Sequence, residues 1–412
     1  MKIIYLHQYF KFPNESGGTR SFDLANGFLG LGHHVEMLTS TSDQKHKTDK
    51  RWSKIERNGL IVHYIYLPYS NEMSYLRRSI VFFQFLWFSI LKLLSLKGDL
   101  VLATSTPLTI GIPALIKKWL HKTPFIFETR DIWPEAVIAI GAIKNKIIKK
   151  ILYFLEHLIY KNAAAIVPLS VDMKESITSR YPKLDVETIE VIENISEIGR
   201  FQSGYSKKIS VLKEKIGFQP RFTVLYAGTF GYVNGINYVI ELAYRLIHLD
   251  PTIIFILIGE GAEKKAVMQK ALDKGVLNKN VFILEPVSKN ELPQIYFECD
   301  MGSSFVIPVK ELWANSANKF FDTLAAGKPI LINYKGWQKE EIIKENIGYV
   351  LPVVLNDEEV KKFLLYSQNK SLIAKQQENA LNIGRQGYAV EIALTKYNKI
   401  FENILIKKNL NV

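Results

Sequence analysis

Short apolar runs alternate along this chain with longer stretches whose apolar residues recur at helical spacing. In the first half, Lys2–His7, Val35–Thr39, Ile61–Tyr66, Leu100–Ala103, Pro124–Glu128 and Ala165–Pro168 read as strands, with Glu187–Ile192 as the last. Between them, Ser21–Leu31, Arg77–Leu96, Ile110–Leu120, Lys144–Lys161 and Ser170–Arg180 read as helices. Strand and helix in strict alternation predict a parallel α/β sheet. Runs such as Leu100–Ala103 are apolar throughout, as a strand covered on both faces requires.

The pattern then restarts. Phe222–Ala227, Thr252–Ile258, Val281–Leu284, Met301–Ser304 and Pro329–Asn333 read as strands, and Asn237–Leu246, Glu263–Lys274 and Ala317–Ala326 as helices. Two Rossmann-like sheets in tandem fit a 412-residue chain better than one very large sheet. The expected boundary lies in the polar, glycine-bearing stretch Ser196–Ser210, which divides the chain into residues 1–203 and 204–388. The tail from Ser371 has room for a helix ending near Asn382, before Gly384, and a second from Tyr388 or Ala389 to Leu405. No repeat or low-complexity segment interrupts this.

Charge adds a set of partners. The formal net charge is +13, which suits nucleic acid, an anionic membrane surface or an acidic substrate. Nucleic acid is disfavoured, because the lysines gather at helix edges and in the tail instead of forming a stripe with exposed aromatics. The single cysteine, Cys299, makes neither an intrachain disulfide nor a cysteine metal site, and the eight histidines form no ligand cluster. No metal is expected. The first residues read as a strand, not a signal peptide, so a cytosolic protein is expected.

One segment qualifies that expectation. Ile80–Leu96 is strongly apolar, flanked by Arg77, Arg78 and Lys97, and interrupted by Gln84 and Lys92. It is either a helix buried on a sheet or a surface helix lying on lipid, and it falls short of a span. A second stretch sets Lys144, Lys146, Lys149 and Lys150 beside Ile147, Ile148, Ile151, Leu152 and Leu155, a basic edge next to an apolar face. Together these predict a peripheral position on the inner face of the membrane.

Candidate chemistry comes from both halves. Gly17-Gly18-Thr19-Arg20 follows the first strand, where glycine lets backbone approach a phosphate and a helix N-terminus offers free N–H groups. Arg20 either meets an anionic ligand or caps the local fold. Gly228-Thr229-Phe230-Gly231 has the same position in the second half. About 300 residues after the first motif, Lys319 and Asp322 share a helical face next to small residues Ala325, Ala326 and Gly327. They read as a phosphate cation and a ribose acceptor, or else as a surface ion pair. Asn315 and Ser316 precede them and can aim N–H groups at a diphosphate. Glu128-Thr129-Arg130-Asp131 begins at a strand end, where α/β folds bind ligands. Asp131 can orient or deprotonate a hydroxyl and Arg130 can hold phosphate, unless the loop only bridges to itself. Glu260 stands at another strand end, as a turn residue or as cleft floor. Gly-x-Gly-x-x-Gly, a Lys-bearing phosphate loop and Gly-x-Ser-x-Gly are all absent. A site built from both halves is a cleft suited to a nucleotide diphosphate sugar.

These motifs resemble one group. His7-Gln8-Tyr9-Phe10 with Pro13, Gly17-Gly18 and Arg20, then Glu128, Arg130-Asp131 and Trp133-Pro134, then Gly228 and Gly231, then Lys319, Asp322 and Ala325-Ala326-Gly327-Lys328-Pro329, stand in the order seen in the retaining glycosyltransferases of family 4, of the GT-B fold. The chain looks closest to the bacterial polysaccharide branch with colanic-acid, O-antigen and L-fucosamine transferases. The resemblance implies two Rossmann-like domains facing across a cleft, with residues 1–203 binding acceptor, 204–388 binding nucleotide sugar, and 389–412 returning to the first domain. It implies a UDP-sugar donor, N-acetyl-L-fucosamine or another N-acetylated hexose, and an undecaprenyl-diphosphate-linked saccharide acceptor in capsule or O-antigen synthesis. It implies transfer with retention, Gly18 on the phosphates and no metal. Four positions depart from the family: Ala314 where the first acid of Glu-x7-Glu stands, the shorter Asp322 where its second stands, Asn234 near the usual lysine, and Arg130 at the usual histidine. A nucleotide-sugar epimerase, a phosphorylase and a non-catalytic membrane scaffold remain as other readings of two such domains.

Overall fold

The computed structural model describes residues 1–68, 73, 75–206 and 210–410. Thirteen strands form two sheets among them. The first holds β1 (Lys2–Leu6), β2 (His34–Thr41), β3 (Trp52–Arg57), β4 (Leu60–Tyr66), β5 (Leu100–Thr104), β6 (Phe125–Thr129) and β7 (Ala165–Pro168), in the order β3-β4-β2-β1-β5-β6-β7. The second holds β8 (Phe222–Ala227), β9 (Ile253–Ile258), β10 (Val281–Leu284), β11 (Met301–Ser304), β12 (Ile330–Ile332) and β13 (Gly348–Val350), in the order β10-β9-β8-β11-β12-β13. Every pairing is parallel except β3 on β4. In each sheet the order reverses direction beside the first strand, β1 or β8, which opens a crevice at the C-terminal strand ends.

The first sheet is covered on both faces. Leu24, Ala25 and Phe28 of helix Arg20–Gly30 pack with Tyr397, Phe401 and Ile404 of the last helix, Val390–Leu410, over Ile3, Tyr5 and Met37. The terminal helix therefore closes the N-terminal core. On the other face, helices Tyr75–Ser95, Gly111–His121 and Lys146–Asn162 contribute Val81, Phe85, Leu115 and Ile159. Ile80–Leu96 is buried on one side and open on the other: Val81, Phe85 and Leu93 are core, while Phe83 and Trp87 are 70% and 59% exposed. No helix among the described residues is long and apolar enough to cross a membrane. Arg78, expected beside this helix, has a side chain outside the described set.

Four differences from the sequence reading have physical causes. Glu187–Ile192 is not a strand: Asp185 accepts from Glu187 N and winds Val186–Thr188 into a 3-10 turn, leaving one bridge from Ile189 to Ile166. The strand Trp52–Arg57 escapes an apolar search because it is an edge, with Lys54, Glu56 and Arg57 facing solvent. β13 escapes it because only three residues pair. The tail helix Lys370–Gly387 runs through Gly384 instead of stopping before it. A Cβ at Gly384 would stand 3.2 Å from Leu324 O, so this glycine permits close helix packing and ends nothing.

Candidate active site between the two sheets

The C-terminal strand ends of both sheets face one cleft. It has two adjoining chambers of about 480 and 490 Å³, which share Gly18, Thr229, Asn234, Ala317, Asn318 and Lys319. The first adds His7, Thr106, Arg130, Asp131, Asn315 and Ser316. The second adds Gly17, Gly228, Glu260, Lys289 and Asp322. The chain thus brings Gly17 and Gly18 from one half to the helix Asn318–Ala325 of the other, and a Cβ on Gly18 would overlap the Asn318 amide.

In the first chamber Asp131 accepts a hydrogen bond from Thr106 Oγ1 at 2.6 Å. The backbone N–H of Arg130 donates to Ser105 Oγ at 2.9 Å, and its guanidinium stands 3.4 Å from His7 Nε2. Burial, then the neighbouring Arg130 charge, pushes the His7 imidazole down to about 3, so His7 is neutral at ordinary pH. The far wall is braced. Asn194 donates through its amide to Ser316 O at 3.1 Å, and Asn315 O accepts from Trp337 Nε1 at 2.9 Å. Ala314 is buried against Leu169 and Met173, and its carbonyl accepts from Ser170 Oγ at 2.7 Å. The carboxylate on this wall belongs instead to Glu311.

At the junction Lys319 is 8% exposed. Its ammonium donates to Asn234 Oδ1 at 3.4 Å and lies 5.0 Å from the Tyr226 ring centre. Burial lowers its pKa to about 8, opposed only by Asp322. Among the described residues no carboxylate stands in hydrogen-bonding reach of this cation, an arrangement that can receive an anionic ligand. Beneath it the Gly228 loop rests on the β9 loop: Gly228 N donates to Ile258 O and Phe230 N to Glu260 O. Gly259 makes that contact possible, because at φ +149° a Cβ would stand 1.9 Å from Gly228 O.

Some expected residues are placed otherwise. Arg20 lines neither chamber. Its side chain is fully buried, with Nε and Nη2 on Glu128 at 3.1 and 2.9 Å, and with Nη1 and Nη2 on the carbonyls of Glu193 and Ile192. Burial of an unpaired guanidinium is so costly that these four bonds define its role. Gly231 faces a separate pocket with Tyr232, Gly235 and Ile307, outside both chambers. Lys319 and Asp322 are no surface pair: Asp322 is buried and bonds Lys289. The Glu128–Glu135 loop does not bridge to itself, since Glu135 pairs with Arg180 at 3.1 Å. Glu260 sits in the second chamber and pairs with Lys264. Lys289 and Asn194 were not anticipated. Lys289 follows the strand β10, so the rule that ligands gather at strand ends was the signal available.

Residues 17–194 match the Glycosyl transferase 4-like domain family and residues 209–383 match Glycosyl transferases group 1. A protein of Escherichia coli (strain K12) named for colanic acid biosynthesis glycosyl transfer, WcaI, is 28% identical over 154 residues, a stretch spanning 37% of this chain and 36% of that protein. The fold is similar to that of sucrose-phosphate synthase from Thermosynechococcus elongatus, with a TM-score of 0.76 at 12% identity over 98% of this chain and 99% of that one. It is similar also to Anabaena HepE in complex with UDP and glucose, with a TM-score of 0.70 at 16% identity over 98% and 100%. At such identities the likeness is of the fold.

Proposed function

We infer the reaction from one premise: this chain is a glycosyltransferase of the GT-B fold, its N-terminal domain of the glycosyl transferase 4-like family. It transfers a sugar from a UDP-sugar to a lipid-linked saccharide, with retention at the anomeric carbon. Residues 1–203 with 389–412 take the acceptor and 204–388 the nucleotide. The short helix Ile198–Ser203 joins the two, pairing Arg200 with Asp23 and stacking Phe201 edge-on to Tyr296. The observation that carries this reading is the pair of chambers meeting at Lys319, with Asp131 on the acceptor side and Asp322 on the nucleotide side.

The roles follow from the chemistry available. Lys319, Gly18 N–H and the start of the helix Asn318–Ala325 receive the diphosphate, stabilising charge as it leaves. The helix has eight residues, enough for a directed N-terminal dipole. Gly228 and Thr229 line the donor path, and Asp322 accepts from a ribose hydroxyl. Asp131, oriented by Thr106, accepts from the acceptor hydroxyl. That hydroxyl attacks the anomeric carbon on the face from which UDP departs, the bond from carbon to phosphate oxygen breaks, and the proton leaves with the diphosphate. Arg130 holds an acceptor phosphate or orients the sugar.

The acceptor's lipid fits a second observation. Phe83 and Trp87 on one helix, and Ile147, Ile151 and Phe154 on another, are exposed on the same face of the N-terminal sheet, beside Lys144, Lys146 and Lys150. Such a face suits an anionic bilayer, with lysines contributing roughly 1 kcal/mol each near the surface. The enzyme then works at the inner membrane face, on an undecaprenyl-diphosphate saccharide of capsule or O-antigen synthesis. The donor sugar is N-acetyl-L-fucosamine or another N-acetylated hexose.

The test incubates the protein with UDP-GlcNAc, UDP-N-acetyl-L-fucosamine and related donors, with undecaprenyl-diphosphate saccharides in detergent. Product mass and UDP release are measured. A mass gain with one donor supports the reading, and Asp131→Asn then lowers transfer about 100-fold or more while leaving UDP binding intact. Absence of both turnover and UDP binding across the panel overturns it.

A further inference from the structure

Lys289 is a buried cation that none of the roles above uses. It is 5% exposed, on the loop between β10 and the helix Leu292–Glu298, and its ammonium bonds the Asp322 carboxylate. It lines the nucleotide chamber together with Asp322. Its own backbone reaches the other domain: Lys289 N–H donates to Glu15 O and Asn290 N–H to Pro13 O, both at 3.1 Å. Those acceptors belong to the loop that carries Gly17 and Gly18. One residue therefore touches the carboxylate of the nucleotide half and the glycine loop of the acceptor half.

We propose that Lys289 is a positioning residue for the donor, holding Asp322 ionised and aimed so that it accepts from a ribose hydroxyl. This rests on the reading of the second chamber as a nucleotide site. A ribose hydroxyl donates to a carboxylate far better than to a carboxylic acid, which is uncharged and has one acceptor oxygen fewer free. The groups facing Asp322 among the described residues come from several elements. Lys289 comes from the β10 loop, Arg200 from the helix Ile198–Ser203, Asp23 from the helix Arg20–Gly30, Lys319 from its own helix, and Tyr296 from the helix Leu292–Glu298. Burial pushes the Asp322 carboxyl upward, and Lys289 is the strongest opposing influence, with Arg200 next. Arg200 is itself committed to Asp23 and Glu197. Without Lys289, the carboxyl keeps its proton to higher pH, and the ribose meets a weaker acceptor wherever it is protonated.

The experiment measures binding of UDP and 2′-deoxy-UDP by calorimetry from pH 6 to 9, for the full chain and for Lys289→Met and Lys289→Arg. In the unsubstituted protein the ion pair with Lys289 is expected to make UDP affinity depend less on Asp322 protonation than in Lys289→Met, beside the separate decline from Lys319 at the alkaline end. Lys289→Met is expected to weaken UDP about tenfold at pH 7 and to regain affinity as pH rises, because Asp322 then ionises. It should also shrink the preference for UDP over 2′-deoxy-UDP, and Lys289→Arg should restore both. Equal losses for both nucleotides with no pH dependence beyond the Lys319 decline would show a merely structural role and overturn the proposal. So would unchanged binding in Lys289→Met. A protein that binds neither nucleotide before substitution overturns the nucleotide reading itself, and this proposal with it.

Discussion

Replacing Arg20 by methionine tests whether this arginine serves the fold or a ligand. In the structure Glu128 is fully buried and receives Arg20 twice, the Thr104 hydroxyl, and the Tyr397 hydroxyl from the last helix at 2.5 Å. Arg20→Met leaves that carboxylate without its cation and the carbonyls of Ile192 and Glu193 without a donor. Removing one partner of a buried pair costs about 3–5 kcal/mol. For a domain of this size each kcal/mol moves the midpoint by about 2–4 °C, so the melting temperature should fall by roughly 6–20 °C. The pH dependence has a defined sign. Burial alone would raise the Glu128 carboxyl, but Arg20 and then Arg130 hold it down at about 2, against 4.5 for the ordinary group. A depressed folded value contributes stability that is present above the unfolded value and is lost as pH falls toward the folded one. The gap between the unsubstituted protein and Arg20→Met should therefore be full at pH 7 and narrow between about pH 4.5 and 2. Scanning calorimetry across that range measures it, and Arg20→Met combined with Glu128→Gln should recover part of the loss. A melting temperature shifted by less than about 2 °C, together with lost UDP affinity, would refute the assignment and return Arg20 to the ligand.

Other outcomes follow from the same geometry. UDP affinity should decline as pH rises through about 8, where buried Lys319 loses its proton, and Lys319→Met should bind at least tenfold more weakly with that decline gone; calorimetry reads both. Replacing Phe83, Trp87 and Phe154 together by serine should abolish flotation with anionic vesicles while leaving UDP affinity intact. Replacing Lys144, Lys146 and Lys150 by glutamine should cost roughly 1 kcal/mol per lysine in vesicle binding, with less effect at high salt. Gly259→Ala should destabilise the protein by about 2 kcal/mol or more, because its Cβ would overlap Gly228 O, and should weaken UDP binding by moving that loop.

Much of this architecture was legible along the chain. β8, β10 and β11 have the bounds read along the chain, and the helix before β12 is one residue shorter at each end. Short apolar runs that alternate with helical stretches fit strands buried on both faces of a parallel sheet, so two such alternations point to two sheets. Asp131, Lys319 and Asp322 were found as polar residues at strand ends or on a small-residue helix, and all three line the cleft.

What tertiary structure alone decided was which charges are spent on the fold and which stay open to a ligand. Arg20 follows the glycine pair as a phosphate-binding arginine would, yet its partner Glu128 lies 108 residues away. Asp322 and Lys319 share a helix, yet the ion pair forms with Lys289, 33 residues before Asp322 and on another loop. Periodicity is a local property, because burial of one face is repeated every second or every third to fourth residue. Charge pairing is settled by distance in space and by the cost of leaving a buried ion alone, and neither is periodic in the chain.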